Sequence, residues 1–110
     1  MAAPTPSPQD RASALHQRSI VIDALDVSRF DRSHFEKMHA GGITAANATV
    51  VMPGANFRQS VDGIRAFDAL IEQNADLVMQ VLCAADIEAA KAAGKIGIVY
   101  GFQNAVGLEG

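Results

Sequence analysis

The chain reads as an α/β fold in which parallel strands alternate with helices, and three observations predict it. Runs rich in β-branched residues, Ile20-Val21-Ile22, Ile43 to Val51 and Ile96 to Val99, have the composition of strands buried on both faces. Between them lie segments whose apolar residues recur at helical spacing. Glycine and proline punctuate the boundaries at Gly41-Gly42, Pro53-Gly54 and Gly94. The order strand, helix, strand, helix, helix, strand then calls for parallel pairing through right-handed crossovers.

Met1 to Pro8 holds Pro4, Pro6 and Pro8 and reads as a floppy leader, followed over Gln9 to Gln17 by one or two helical turns. Residues 1–18 are thus a flexible leader and short helix, and 19–110 form one α/β unit. The first strand, Arg18 to Val27, ends in two acidic residues. In parallel sheets, functional groups collect at the carboxyl ends of the strands, which places Asp23 and Asp26 where a site would be built. Strict alternation puts Asp23 on a face with Leu25 and Val27, and Asp26 on the other with Ala24. Asp23 then either bonds neighbouring backbone or joins a site, whereas Asp26 reads as a loop or helix-capping residue.

Ser33-His34-Phe35-Glu36 matches a capping box and opens a helix from about Arg32 to Ala40, stopped by Gly41-Gly42. His34 and His39 lie about 140° apart on it, the wrong geometry for a shared metal, so they read as solvated or locally bonded. Ile43 to Val51 is the second buried strand, Met52 to Phe57 a loop, and Ser60 to Asn74 an amphipathic helix. Asp76 to Cys83 is apolar and fits either a short strand or the last turns of that helix. Ala84 to Gly94 is an alanine-rich helix with acidic residues early and a basic residue late. Lys95 to Gln103 is a buried strand with Gly97, Val99, Gly101 and Gln103 on one face. Asn104 to Gly110 shows no helical pattern. Three strands with these helices leave sheet faces poorly covered, which predicts the front part of a longer protein.

With 9 basic and 12 acidic residues the formal net charge is -3, and no basic cluster offers a footprint for nucleic acid or an anionic membrane. Neither partner is expected. Apolar residues make up 49 %, enough for a globular core. Cys83 is the single cysteine, so no internal disulfide forms; a reducing cytoplasm fits, and the thiol reads as a small buried hydrophobe. A signal-peptide core and a membrane-spanning run are both missing from the sequence, which predicts a soluble, cytoplasmic protein. No Ser/His/Asp or Cys/His arrangement, phosphate loop or nucleotide fingerprint stands out, so no catalytic residue is assigned.

Taken together, Ile20-Val21-Ile22-Asp23-Ala24, His39-Ala40-Gly41-Gly42-Ile43-Thr44-Ala45-Ala46-Asn47, and the run from Ala85-Asp86-Ile87 through Gly94 to Gln103 resemble the N-terminal part of the membrane dipeptidase (renal dipeptidase) family of metallopeptidases. The resemblance covers roughly Ser19 to Gly110. It implies a TIM (β/α)8 barrel, of which a chain this short holds less than half. It also implies a binuclear zinc site at the C-terminal mouth, hydrolysis of dipeptides or other small amides, and homodimers. Carried over residue by residue, the family's His-x-Asp zinc pair falls on Leu25 and Val27, which cannot ligate. Its bridging glutamate falls on Gln103, whose amide lacks the charge to hold two dications. Asp23 and Gln103 remain the candidate metal ligands, with zinc the implied cofactor. For Asn47 and Asn104 only hydrogen bonding at strand ends is expected. The functional expectation is a metal-dependent dipeptidase-like hydrolase, this chain being a partial barrel inactive alone. The alternative is a non-catalytic small-molecule-binding barrel that has lost its binuclear metal site.

Overall fold

Side chains set where the helices of this computed structural model begin, and often not where apolar spacing alone would start them. Residues 2–109 are described; Met1, which opens the expected leader, and Gly110, which ends the expected barrel portion, lie outside them. Helix α1 spans Pro8–Arg18. Ser7 and Asp10 close its first turn, each backbone N–H donating to the other's side chain at 3.1 Å. Pro8 therefore belongs to the helix, its fixed φ suiting the first helical position, and the leader expected to run through it ends at Ser7. Helix α2 spans Arg32–Ala40 as expected, but its cap is Asp31, which accepts the His34 N–H at 2.8 Å, and not Ser33. Helix α3, Phe57–Gln73, starts three residues before the expected Ser60. Asn56 and Gln59 form a reciprocal box at 2.9 and 3.0 Å and convert the end of the expected loop into helix. Helix α4 spans Ala84–Ala93 and stops at Gly94, whose φ of 67° is left-handed.

Four strands, β1 Ile22–Asp26, β2 Ala45–Val51, β3 Val78–Gln80 and β4 Ile96–Phe102, pair in parallel in the order β1-β2-β4-β3. The ambiguous apolar stretch is thus a strand, three residues long. It pairs with Ile96, Gly97 and Ile98 alone, at the outer edge of β4, so the strands do not follow one another across the sheet as in a simple barrel wall. After β4 a single 3-10 turn, Val106–Leu108, folds back on α3, with Gly107 buried against Ser60.

One face of the sheet is covered. Ala46 and Ala48 of β2 with Ile96 and Ile98 of β4 are fully buried and pack with Phe35 and Met38 of α2 and Phe67 of α3. Phe30, Phe67 and Tyr100 add edge-to-face ring contacts at 5.2 and 5.4 Å. The other face, carrying Ala45, Asn47 and Thr49 opposite Gly97, Val99 and Gly101, is closed by α4 only near its start, where Ala90 approaches Gly97. β1 is an edge strand and is not buried as its composition predicts: Ile20, Ile22, Leu25 and Val27 are 47–64 % exposed. Composition records what a strand can pack against, and here only β2 is beside it. Among the described residues no helix is long and apolar enough to cross a membrane.

Candidate functional site

The carboxyl ends of β1, β2 and β4 lie together, and two side chains shape the first of them. Asp23 Oδ1 accepts the Leu25 N–H at 3.1 Å, taking from the ladder an amide that a regular strand would give to its neighbour. The register records the result: Asp23 stands opposite Ala46 and Asp26 opposite Ala48, three residues of β1 against two of β2. Ala46 and Ala48 share the covered face, so both acidic residues are set toward the helices. The expected alternation, with Asp23 beside Leu25 and Val27 and opposed to Asp26, does not survive this bulge.

Asp26 is accordingly neither a loop residue nor a cap. It is 7 % exposed and accepts from the Ser28 N–H at 2.8 Å and from His34 Nε2 of α2 at 3.0 Å. Burial pushes its carboxyl up, but the bonds from Ser28 and His34, with the attraction of His34, outweigh that and hold it below its ordinary 3.8. His34 is locally bonded, as its spacing from His39 predicts, and His39 bonds the Gly94 carbonyl at 3.0 Å.

On the open face, Gln103 Nε2 donates to Thr49 Oγ1 at 3.1 Å, just past the end of β4. The Asn47 carboxamide lies over Gly101, in space that a side chain there would fill. These neutral groups, with exposed Leu25 and Val27 at the end of β1, make up the carboxyl-end surface. Asp23 and Gln103 are thus placed toward opposite faces. Asn104 does bond at a strand end, its Nδ2 donating to the Pro53 carbonyl at 2.8 Å. Cys83 is exposed and not the buried hydrophobe expected, because β3 ends before it and leaves it in the turn ahead of α4. Among the described residues no three His, Cys, Asp or Glu side chains gather as a metal-binding group. A depression of about 340 Å³ between the end of β2 and the start of α3, lined by Val50, Val51, Met52, Gly54, Ala55, Gln59 and Gly63, holds no titratable side chain.

Thr49 is the residue that the sequence does not single out, and Asn47, expected to bond at a strand end, lies instead within β2 against Gly101. The signal for Thr49 was available: it shares a strand face with Asn47, and Gly101 lies directly across from it in the register.

This geometry defines a class, a parallel α/β sheet with one face covered by helices, the other only partly, and polar groups at its strand ends. The chain matches no protein-family model and no curated protein. It is similar to the crystal structure of an amidohydrolase from Pseudomonas aeruginosa, with 48 % identity and a TM-score of 0.85 over 88 % of this chain. The chain spans 30 % of the length of that protein.

Proposed function

We propose that this chain is the N-terminal segment of an amidohydrolase-like enzyme that cleaves small amide or peptide bonds, with dipeptides as the substrate class. The observation that carries the reading is the 48 % identity to the Pseudomonas amidohydrolase across nearly the whole chain. In this reading β1, β2 and β4 are wall strands of a (β/α)8 barrel, β3 is an addition to the outside of β4, and the mouth lies where Asn47, Thr49 and Gln103 are found. These groups would orient a substrate amide by hydrogen bonds, since each offers a neutral donor or acceptor. We place the protein in the cytoplasm, whose reducing state suits the single, exposed thiol of Cys83.

The donor set here does not fit a binuclear zinc site. Leu25 and Val27 are hydrocarbon, Gln103 is a neutral amide engaged with Thr49, and Asp23 is set toward the other face. Any metal in the whole protein would depend on residues outside this segment. The same substitutions favour a second reading, a barrel that binds a small molecule without turning it over. The deciding experiment assays the protein that carries this sequence against a panel of dipeptides and N-acyl amino acids, with metal content measured on the same sample. Turnover of any member supports the enzyme. A thermal shift with a panel member and no turnover supports the binding protein, and neither response overturns both.

A further inference from the structure

We infer that a depression where β2 and β4 begin is a binding site for a phosphate dianion, either the free ion or the phosphoryl end of a small molecule. It stands at the opposite end of the sheet from the carboxyl-end surface and requires nothing of the catalytic reading.

Helices that return along a parallel sheet end where the next strand starts, so α2 delivers His39 and α4 delivers Lys91 to one place. Between them, with Thr44 ahead of β2 and with Gly94 and Lys95 ahead of β4, lies a depression of about 160 Å³. Sites for drug-sized molecules start at about 300 Å³, so this one suits a single small ion or group. Two of the chain's three lysines, Lys91 and Lys95, line it, and both are half-buried. Two are too few for a nucleic-acid footprint, but they supply the charge to hold one dianion.

Neither lysine has another partner. Among the described residues the ion pairs are Arg32 with Glu36 and with Asp76, and His34 with Asp26. Arg32 bonds both oxygens of Asp76, at 2.7 and 2.8 Å, and that pairing chiefly holds the Asp76 carboxyl below its ordinary 3.8, with Lys95 adding attraction at longer range. Lysines near helix ends commonly serve the negative pole of the helix. Here that pole is already met. The Met38, His39 and Gly41 carbonyls accept from the Ile43 and Gly42 amides and the His16 ring, and those of Ala90 and Gly94 accept from the Lys95 amide and the His39 ring.

Thr44 supplies an independent observation. It is 2 % exposed and lines the same depression; its Oγ1 accepts the Val21 N–H at 2.9 Å, and its hydroxyl proton has no acceptor among the described residues. A hydroxyl has one hydrogen to donate, and an anion seated beside the two lysines gives it an acceptor.

The test titrates the protein that carries this sequence with inorganic phosphate, phosphoserine and acetate at constant ionic strength, followed by thermal shift and, for the first two, by phosphorus NMR. The expected result is saturable binding of phosphate or phosphoserine, with a thermal shift at least about threefold that given by the same concentration of acetate. Tighter binding of phosphoserine assigns the site to a phosphoryl group, and tighter binding of phosphate assigns it to the free ion. Lys91→Gln and Lys95→Gln should each weaken binding about tenfold or more. Lys37→Gln, the same loss of charge at an exposed position of α2 outside the depression, should change it less than about twofold. Thr44→Ser, which keeps the hydroxyl, should bind as the native protein does, and Thr44→Val should bind more weakly. Circular dichroism checks that each variant is folded. The proposal is overturned if no saturable binding is seen, if acetate gives an equal shift, or if Lys37→Gln weakens binding as much as the Lys91 and Lys95 variants.

Discussion

Asp26 and His34 tie the end of β1 to α2, the imidazole Nε2 donating to the carboxylate Oδ2 at 3.0 Å beneath the ring of Phe30, whose centroid is 5.2 Å from that of His34. The pair closes a loop of only a few residues and fixes the angle at which the first helix returns along the sheet. Because Asp26 also takes the Ser28 N–H, the turn out of the strand and the docking of the helix depend on one carboxylate.

Removing that carboxylate leaves a partly buried imidazole nitrogen and a backbone N–H without their acceptor. Asp26→Ala should cost about 2 kcal/mol in urea unfolding, with a smaller loss for His34→Ala. The double variant should lose less than the sum, because the two residues share one bond.

The same carboxylate makes stability depend on acid in a stated direction. Its pKa is depressed in the folded chain, so its contribution is complete above the unfolded value, near the ordinary 3.8, and is lost as pH falls through the lower folded value. The urea midpoint of the native chain should therefore fall more steeply than that of Asp26→Ala between about pH 5 and about pH 2.5. Parallel curves for the two proteins would refute the assignment.

How α3 meets β2 gives a prediction that separates close packing from conformational freedom. A Cβ on Gly63 would lie 2.8 Å from the Val50 carbonyl oxygen, a backbone atom that cannot swing aside. Gly63→Ala should cost about 1–3 kcal/mol through displacement of the helix, even after the gain in helix propensity. Gly54→Ala, where nothing lies within 4 Å, should be close to neutral in the same thermal melts.

What the sequence makes legible here is local, and what it hides is set by distant neighbours. The extent of α2 follows from Phe35, Met38 and the glycines after them, all within a dozen residues. The Asn56 and Gln59 box is equally local, a helix start written in the residues before Ser60. By contrast, the bulge in β1 arises from a contest between Asp23 and β2 for one N–H, which alternation of side chains cannot anticipate. Exposure of β1 is likewise no property of Ile20 or Ile22 but of the position of the strand in the sheet. Of the candidate site, Gln103 and its face were legible from the period of two. Its partner was not, since Thr49 lies 54 residues away.

That partnership yields the last prediction. Gln103 donates through Nε2 to the Thr49 hydroxyl, so the hydroxyl is free to donate elsewhere. Gln103→Glu removes the donor, and the contact survives only if Thr49 reverses and donates to the new carboxylate. Stability should then change by less than about 1 kcal/mol, because a side chain exposed to water loses little when one hydrogen bond is exchanged for another. Thr49→Val cannot reverse and should release Gln103, seen as a change in the Gln103 side-chain amide resonances toward free-glutamine values. The new carboxylate of Gln103→Glu should not bring zinc with it, since Leu25 and Val27 still present hydrocarbon and a single oxygen donor falls well short of a tetrahedral set. Stoichiometric zinc in purified Gln103→Glu, measured against the native chain, would show that ligands are being drawn from residues the structure holds apart.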